Sequence, residues 1–393
     1  MKNDSSIYNA KSFGSTSGSR NINSVDAVLH FLSYVEDVGA ITAGKLYNSI
    51  KPLSLVYTMN SRELVKNSGI RKSAAAAICK AAAEKERIFE EYISLSDSDI
   101  NFITIENKNY PKRLLNLYDK PMWLYVKGKL PGDEKKSVAI VGSRNATNYG
   151  RSMAEFLAGS LVKKGVEIIS GMAIGIDGCS HRGALNQKDG SSYAVLGSGV
   201  NICYPKENFD IYCEMSKGRG GIISENIPKG NAVKSSFPIR NRLISGLSDL
   251  IIVVEAREKS GSMITVRHAL EQGKEVYALP GRINDPMSRG CNRLISEGAG
   301  IIISVDDIIE SLGLIRDKTL KIFQRDINIL ANNEKKVYSC FDLEPKYLED
   351  VADESHLPVS EVMSIVLDLE LRGYLIQISG NYYGRNINNL DDI

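Results

Sequence analysis

Cations and aromatic rings gather in polar, glycine-rich turns through the middle of this chain. The cations are Arg144, Lys206, Arg240 and Arg242, and the rings are Tyr149, Tyr204 and Phe237. A guanidinium pairs with phosphate oxygens, and a ring face stacks on another flat ring. The turns are GSRNATNYG (142–150), SGMAIGIDGCSHRGAL (170–185), LGSGVNICYPKEN (196–208), SSFPIRNRLISGL (235–247) and EKSGSMIT (258–265). From Ile227 to Ser248 the chain carries Lys229, Lys234, Arg240 and Arg242 and no acid. Backbone amides in such turns and at helix starts favour phosphate oxygens. Ser260, Gly261 and Ser262 read as a helix start of this kind.

The first turn invites a dinucleotide reading, which its residues exclude. A dinucleotide site needs G-x-G-x-x-G at the first turn and an acid ending the second strand for the ribose. Here the first turn is Gly142-Ser143-Arg144-Asn145, and the second strand ends in Ser170-Gly171. The GxxxxGK[ST] loop of P-loop nucleotide hydrolases is absent as well. No cofactor is expected. Cys79, Cys179, Cys203, Cys213, Cys291 and Cys340 form no CxxC pair, so they read as reduced thiols and no metal is expected. Asp177 and His181, one turn apart, suggest catalysis, but no nucleophile or metal cluster accompanies them. Asp177 reads instead as a helix cap. Glu225 and Glu255 end strands and are expected to orient the arginines through charge-assisted hydrogen bonds. Arg240 and Arg242 lie two apart on a helix, so they point to different sides. One is expected at the ligand and the other in a structural ion pair.

These turns need a scaffold of strands. SVAIV, VEIIS, SYAVLG, GIISE, DLIIVVE, EVYAL and GIIIS are short apolar runs, several of them apolar throughout, as strands covered on both faces are. Amphipathic stretches separate them, such as RSMAEFLAGSLVKKG with Met153, Phe156, Leu157 and Leu161 on one face. The fold class is therefore α/β: an extended Rossmann-like, doubly wound, mainly parallel sheet over residues 101–313. NFITI and YPKRLLNLYDKPMWLYVKG, within 101–135, read as a connector packed against it. Its last helix opens with a capping pattern, Ser304 then Asp307.

Residues 24–100 read as a helical domain of helix-hairpin-helix or SAM-like type, broken at Gly39 and Gly69. Residues 331–385 read as three helices and a hairpin turning at Ser379–Asn381, a winged-helix shape with Val362, Val366 and Leu369 inward. Residues 1–23 and 386–393 are expected to be tails, and 314–330 a linker. Charge divides these parts. Residues 136–313 hold 21 Lys/Arg against 18 Asp/Glu, whereas 331–393 hold 5 against 12. A polyanion should therefore prefer the middle and avoid the C-terminal part. No run reaches the length of a membrane span and the N-terminus carries no apolar signal segment, so a cytoplasmic protein is expected. Cation, ring and a long row of phosphate-ready turns suit single-stranded nucleic acid better than one small ligand.

Together these segments resemble the DprA/Smf family of bacterial DNA-processing proteins. The matching text is YPKRLLNLYDKPMWLYVKG, VAIVGSRNATNYG, SGMAIGIDGCSHRGAL, AVLGSGVNICYPKEN, FPIRNRLISGLSDLIIVVEA, SGSMITVRHALEQGKEVYALPG and GCNRLISEGA, in order across 110–300. The resemblance implies a homodimer that binds single-stranded DNA through its Rossmann domain. It also implies loading of the RecA recombinase during natural transformation or DNA uptake. It implies DNA contacts at Arg144, Lys206, Phe237, Arg240, Asn241 and Arg242. With the turns read above, the expected DNA site also takes in Gly142, Ser143, Gly171 and Ser260 to Ser262. The family's Arg in the G-x-A-R-G-I-D turn is replaced by Ile174. Two other readings stay open. One is a nucleotide N-glycoside hydrolase, whose P-G-G-x-G-T-x-x-E motif has only Leu279-Pro280-Gly281-Arg282 as its nearest text. The other is a dimeric protein-interaction scaffold.

Overall fold

Apolar runs with no polar face have to be covered on both sides, and here they are. The computed structural model describes residues 21–314, 330–341 and 345–385. They fall in two compact units, one within Met1–Leu314 and one within Ile315–Ile393. The tail expected at 386–393, and most of the tail at 1–23 and of the linker at 314–330, lie outside the described residues.

The first unit opens with five helices, α1 (Val25–Ser33), α2 (Ala40–Ser49), α3 (Ser61–Ser68), α4 (Lys72–Ala81) and α5 (Lys85–Ser94). Gly39 stands at the N-cap of α2, and Gly69 ends α3 in the left-handed conformation, where glycine is unstrained. Two strands follow, β1 (Ile100–Thr104) and β2 (Trp123–Gly128). Then come β3 (Ser137–Val141), α6 (Asn148–Lys163), β4 (Glu167–Ser170), α7 (Ile176–Leu185), β5 (Ser192–Val195), α8 (Phe209–Ser216) and β6 (Gly220–Ser224). The unit closes with α9 (Ser236–Leu247), β7 (Leu250–Val253), α10 (Ser262–Glu271), β8 (Glu275–Ala278), α11 (Arg289–Ser296), β9 (Gly300–Ile301) and α12 (Val305–Ser311). Ser304 and Asp307 form the expected capping box at α12.

The strands make one sheet in the order β1-β2-β6-β5-β4-β3-β7-β8-β9. From β6 to β9 every pairing is parallel. Every residue of β3 to β7 is buried. The chain moves outward from β3 through β4, β5 and β6, then crosses back to lay β7 on the other side of β3. The crevice beyond the carboxyl ends of β3 and β7 is thus the switch point of the sheet, where open α/β sheets hold ligands.

Two expectations change here. The stretch at 101–135 is more than a connector. β1 pairs with β2, and β2 with β6, both antiparallel, so it extends the sheet past its parallel part. Phe156 is 58% exposed. The inward stripe of α6 runs through Ala154, Leu157, Ala158 and Leu161 instead, because α6 packs closely on α7. A Cβ on Gly183 of α7 would stand 2.2 Å from the Glu155 carbonyl oxygen.

The N-terminal helices share a core with the sheet. Phe31, Leu32, Leu46 and Ile78 pack in one cluster with Phe102, Trp123, Tyr125 and Ile222. Polar contacts lock the junction: Ser33 Oγ lies 2.7 Å from Tyr125 Oη, and Thr104 Oγ1 donates to Asp26 at 2.6 Å.

In the second unit, α13 (Asn332–Ser339), α14 (Leu348–Ser355) and α15 (Val359–Leu371) surround a core with Val337, Phe341, Val351, Val362, Val366 and Leu369. β10 (Lys346–Tyr347), β11 (Leu375–Ser379) and β12 (Tyr382–Arg385) form a sheet in the order β10-β12-β11.

Candidate nucleic-acid interface

The switch point opens into a groove of about 680 Å³. Its lining comes from the ends of distant elements. Gly142, Ser143 and Arg144 follow β3, Phe237, Arg240 and Asn241 lie in the first turns of α9, and Ser260 to Ser262 lead into α10. An adjoining cavity of about 440 Å³ shares Arg144, Tyr204, Phe237 and Arg240 and adds Gly171 and Lys206. Every residue expected at the site therefore lines one of these two cavities except Arg242.

The β3 turn is held from below. Ser143 N donates to the Glu255 carbonyl at 2.7 Å, and Ile176 N donates to the Ser143 carbonyl at 3.2 Å. Gly175, with φ at 80°, lets the β4–α7 loop press on this turn; a Cβ there would lie 2.3 Å from the Ser143 carbonyl oxygen. So buttressed, the turn presents an exposed Arg144. Its guanidinium carbon stands 5.5 Å from the centre of the Phe237 ring. Phe237 in turn faces Tyr204, with ring centres 6.0 Å apart. The result is a cation over a ring, beside a second ring that is exposed to solvent. Lys206 and Lys234, both exposed, extend the positive surface on either side. Ile174, 41% exposed, lines the adjoining cavity.

Arg240 and Arg242 take different sides of α9. Arg240 is buried at the groove floor. It donates to the Gly171 carbonyl at 2.8 Å, to the Val195 carbonyl, and to Asn241 Oδ1 at 3.2 Å. Burial pulls its pKa down to about 10, with Asp177 opposing the fall, so it stays cationic at neutral pH. Asp177 and Arg240 flank Gly171, where a Cβ would meet Asp177 Oδ2 at 2.7 Å and Arg240 Nη1 at 2.9 Å. Burial raises the Asp177 carboxyl, and Arg240 pulls it back. Arg242 points away from the groove. It donates to both Glu225 oxygens at 2.7 and 2.6 Å, and its Nε lies 3.1 Å from Asp119. Arg242 is thus the structural ion pair and leaves the list of ligand-facing residues.

The acids also depart from expectation. Asp177 does not cap α7. Its Oδ2 accepts from Ala173 N at 3.4 Å, which ties down the preceding loop. His181 ignores Asp177; its Nδ1 lies 2.7 Å from Ser192 Oγ, and burial pushes its pKa down to about 3. Glu225 orients an arginine as expected, whereas Glu255 orients none. Its carboxylate accepts from Thr147 N at 2.8 Å and from Thr147 Oγ1, at the start of α6. The charge of Glu255 is thereby spent on a helix N-terminus, which favours anions.

Residue reading missed Arg257, Met287 and Thr265, which line the groove, and did not select Lys234 and Tyr204 as site residues. Arg257 carried a usable signal: a cation just past a strand end, one turn before the serines. Met287 carried none, because it arrives from the loop after β8.

An open, doubly wound α/β sheet whose switch point gathers cations, helix starts and ring faces defines a Rossmann-like protein with a site built for a phosphate-bearing ligand. Residues 101–313 match the family model described as DNA recombination-mediator protein A. The DNA processing protein DprA of Bacillus subtilis is 42% identical over 241 residues, spanning 59% of this chain and 80% of that protein. Protein Smf of Escherichia coli is 36% identical over 301 residues, spanning 73% and 78%. Among solved structures, DNA processing protein A (DprA) from Streptococcus pneumoniae aligns with a TM-score of 0.61 at 30% identity, covering 72% of this chain and 96% of that one. The chain belongs to this DprA/Smf family of DNA recombination-mediator proteins.

Proposed function

We propose that this chain binds single-stranded DNA along the groove at the carboxyl ends of β3, β7 and their neighbours. The observation that carries the reading is the Arg144–Phe237–Tyr204 arrangement, a phosphate-pairing cation on a ring with a second ring beside it. Arg144, Lys206 and Lys234 supply charge toward phosphates, and Phe237 and Tyr204 supply stacking surface that accepts any base. The starts of α9 and α10 add amide dipoles to the same rim. Arg240 fixes the floor by joining the ends of β4 and β5 to α9.

In the same reading the chain is a homodimer of the cytoplasm. It loads the recombinase RecA onto the bound strand during natural transformation or DNA uptake, and it acts as a mediator without catalysing a reaction of its own. Membership in the recombination-mediator family supports this. The acidic second unit is a winged-helix domain that contacts protein, since carboxylates such as Glu361, Asp368 and Glu370 on α15 repel phosphates.

The test is fluorescence anisotropy of a labelled dT oligonucleotide across a salt series. Arg144→Ala should weaken binding and flatten the log–log salt slope by about 0.7, the signature of one lost phosphate contact to a single strand. Phe237→Ala should cost about 1–3 kcal/mol of stacking and leave the slope unchanged, because no charge is removed. Wild type that fails to bind at low salt, or release of free base from AMP or CMP by the wild type, would overturn the reading.

A further inference from the structure

The loop between β8 and α11 stands beside the groove and presents what a bound strand needs. It is tightly folded. Ala256 N donates to the Met287 carbonyl at 2.8 Å, Gly290 N donates to the Ala256 carbonyl at 2.8 Å, and Asn292 brackets Gly281 from both sides at 3.1 and 3.0 Å. Met287 joins it to the β3 turn, with Ser143 Oγ 3.6 Å from the Met287 sulfur. On this rigid loop Ile283 is 88% exposed, an apolar side chain held out in water. Arg282 on the loop, Arg289 opening α11, and Arg257 at the groove edge are exposed and form no ion pair among the described residues. The loop's own acid, Asp285, makes its hydrogen bonds within the loop and pairs with neither Arg282 nor Arg289. It accepts from Met287 N at 2.8 Å and from Ser288 Oγ at 3.4 Å. Glu258 acts on Arg293, one turn along α11, which also pairs with Glu297 at 2.8 Å.

We propose that a single strand held in the groove continues past Arg257 onto this loop and the start of α11, where Arg282 and Arg289 take phosphates and Ile283 packs on a base. The proposal rests on the groove being the DNA site. With strands about 4.8 Å apart, the rim from the Lys206 turn after β5 to the loop after β8 spans about 19 Å. Even at the stacked rise of about 3.4 Å per nucleotide, about six nucleotides cover that span, so only an oligonucleotide of about three is too short to reach the second zone.

The experiment compares labelled dT3 and dT20 by anisotropy across a salt series. The proteins are the full-length wild type, Arg144→Ala, the double variant Arg282→Gln/Arg289→Gln, and the charge-keeping Arg282→Lys/Arg289→Lys, each with its thermal unfolding recorded. The Gln double variant should bind dT3 as wild type does. It should bind dT20 more weakly, with a salt slope flatter by about 1.4 for two lost contacts. The Lys double variant should restore both. Unchanged dT20 binding by the Gln variant, while Arg144→Ala weakens both lengths, would overturn the extension and leave the groove standing. Equal weakening of dT3 and dT20 by the Gln variant would also overturn it, because the loop would then act only by shaping the groove. If Arg144→Ala weakens neither length, the groove reading itself fails. Should the double Gln variant not fold, Arg282→Gln alone decides: a dT20 slope flatter by about 0.7 supports the extension, and an unchanged slope refutes it.

Discussion

His30 sets an acid limit on the first unit, and the size of the effect follows from its surroundings. The ring is completely buried, and neither nitrogen has a hydrogen-bond partner among the described residues. Tyr34, Tyr92, Phe102 and Tyr125 box it in, with ring centres 5.1, 5.3, 5.2 and 6.0 Å away. A proton would put a charge inside that box, so burial pushes the pKa from 6.5 down to about 3. Between these values the unfolded chain holds a proton that the folded chain refuses. The unfolded state gains, and folding stability falls as the pH drops below 6.5. At about 1.4 kcal/mol per pH unit, the loss at pH 5 is about 2 kcal/mol. His30→Phe abolishes this titration. It also removes two unpaired buried nitrogens, a gain of about 1–3 kcal/mol that does not vary with pH, less any cost of a slightly larger ring. Urea unfolding can be followed through Trp123, the one tryptophan of the chain, which packs in the same cluster as Phe102 and Tyr125. The stability gap between His30→Phe and wild type should widen by about 2 kcal/mol between pH 7.5 and pH 5. His181 is held near 3 by burial in both proteins, so it cancels from the gap. A gap that stays constant with pH would refute the reasoning, whatever its size.

Other substitutions separate scaffold from site. Glu225→Ala strips Arg242 of its two-oxygen partner and leaves a buried guanidinium to Asp119 alone; urea unfolding should show a loss of about 3–5 kcal/mol. Where that variant is folded, its affinity for dT should match wild type, since Arg242 faces away from the groove. Gly175→Ala demands a backbone of φ 80° and ψ −131°, which glycine alone adopts freely, of a residue with a Cβ, costing about 1–3 kcal/mol before the collision with Ser143 is counted. Because the β3 turn must yield, oligonucleotide binding should fall about tenfold or more, roughly the price of 1.4 kcal/mol at the Arg144 contact. Thermal unfolding and anisotropy on the same preparation check both effects.

What could be read from residues, and what could not, divides by how local the cause is. The strands from β3 to β7 were legible because strands covered on both faces keep short apolar runs at their centres, with polar residues such as Glu167 and Ser170 only at their ends. The turns at their ends were legible for the same reason, as polar text between apolar runs. The i, i+2 spacing of Arg240 and Arg242 announced that the two would part. Which one met the groove depended on Glu225 and Asp119, which reach α9 from the end of β6 and from the segment before β2. Asp177 reads as a cap, but it is the second residue of α7, past the Gly175 N-cap, and the φ of 80° at Gly175 folds the β4–α7 loop back onto it. The carboxylate then finds Ala173 N and Arg240. β1 and β2 read as a connector because nothing in their own residues reveals that β6 offers a free edge. Arg144, Tyr204 and Phe237 come from three separate turns, and only the crossing of the chain over β3 brings them together. A sequence can therefore name the chemistry of a switch-point site, because strand ends are local features. The neighbours each side chain meets there follow from the order of the strands.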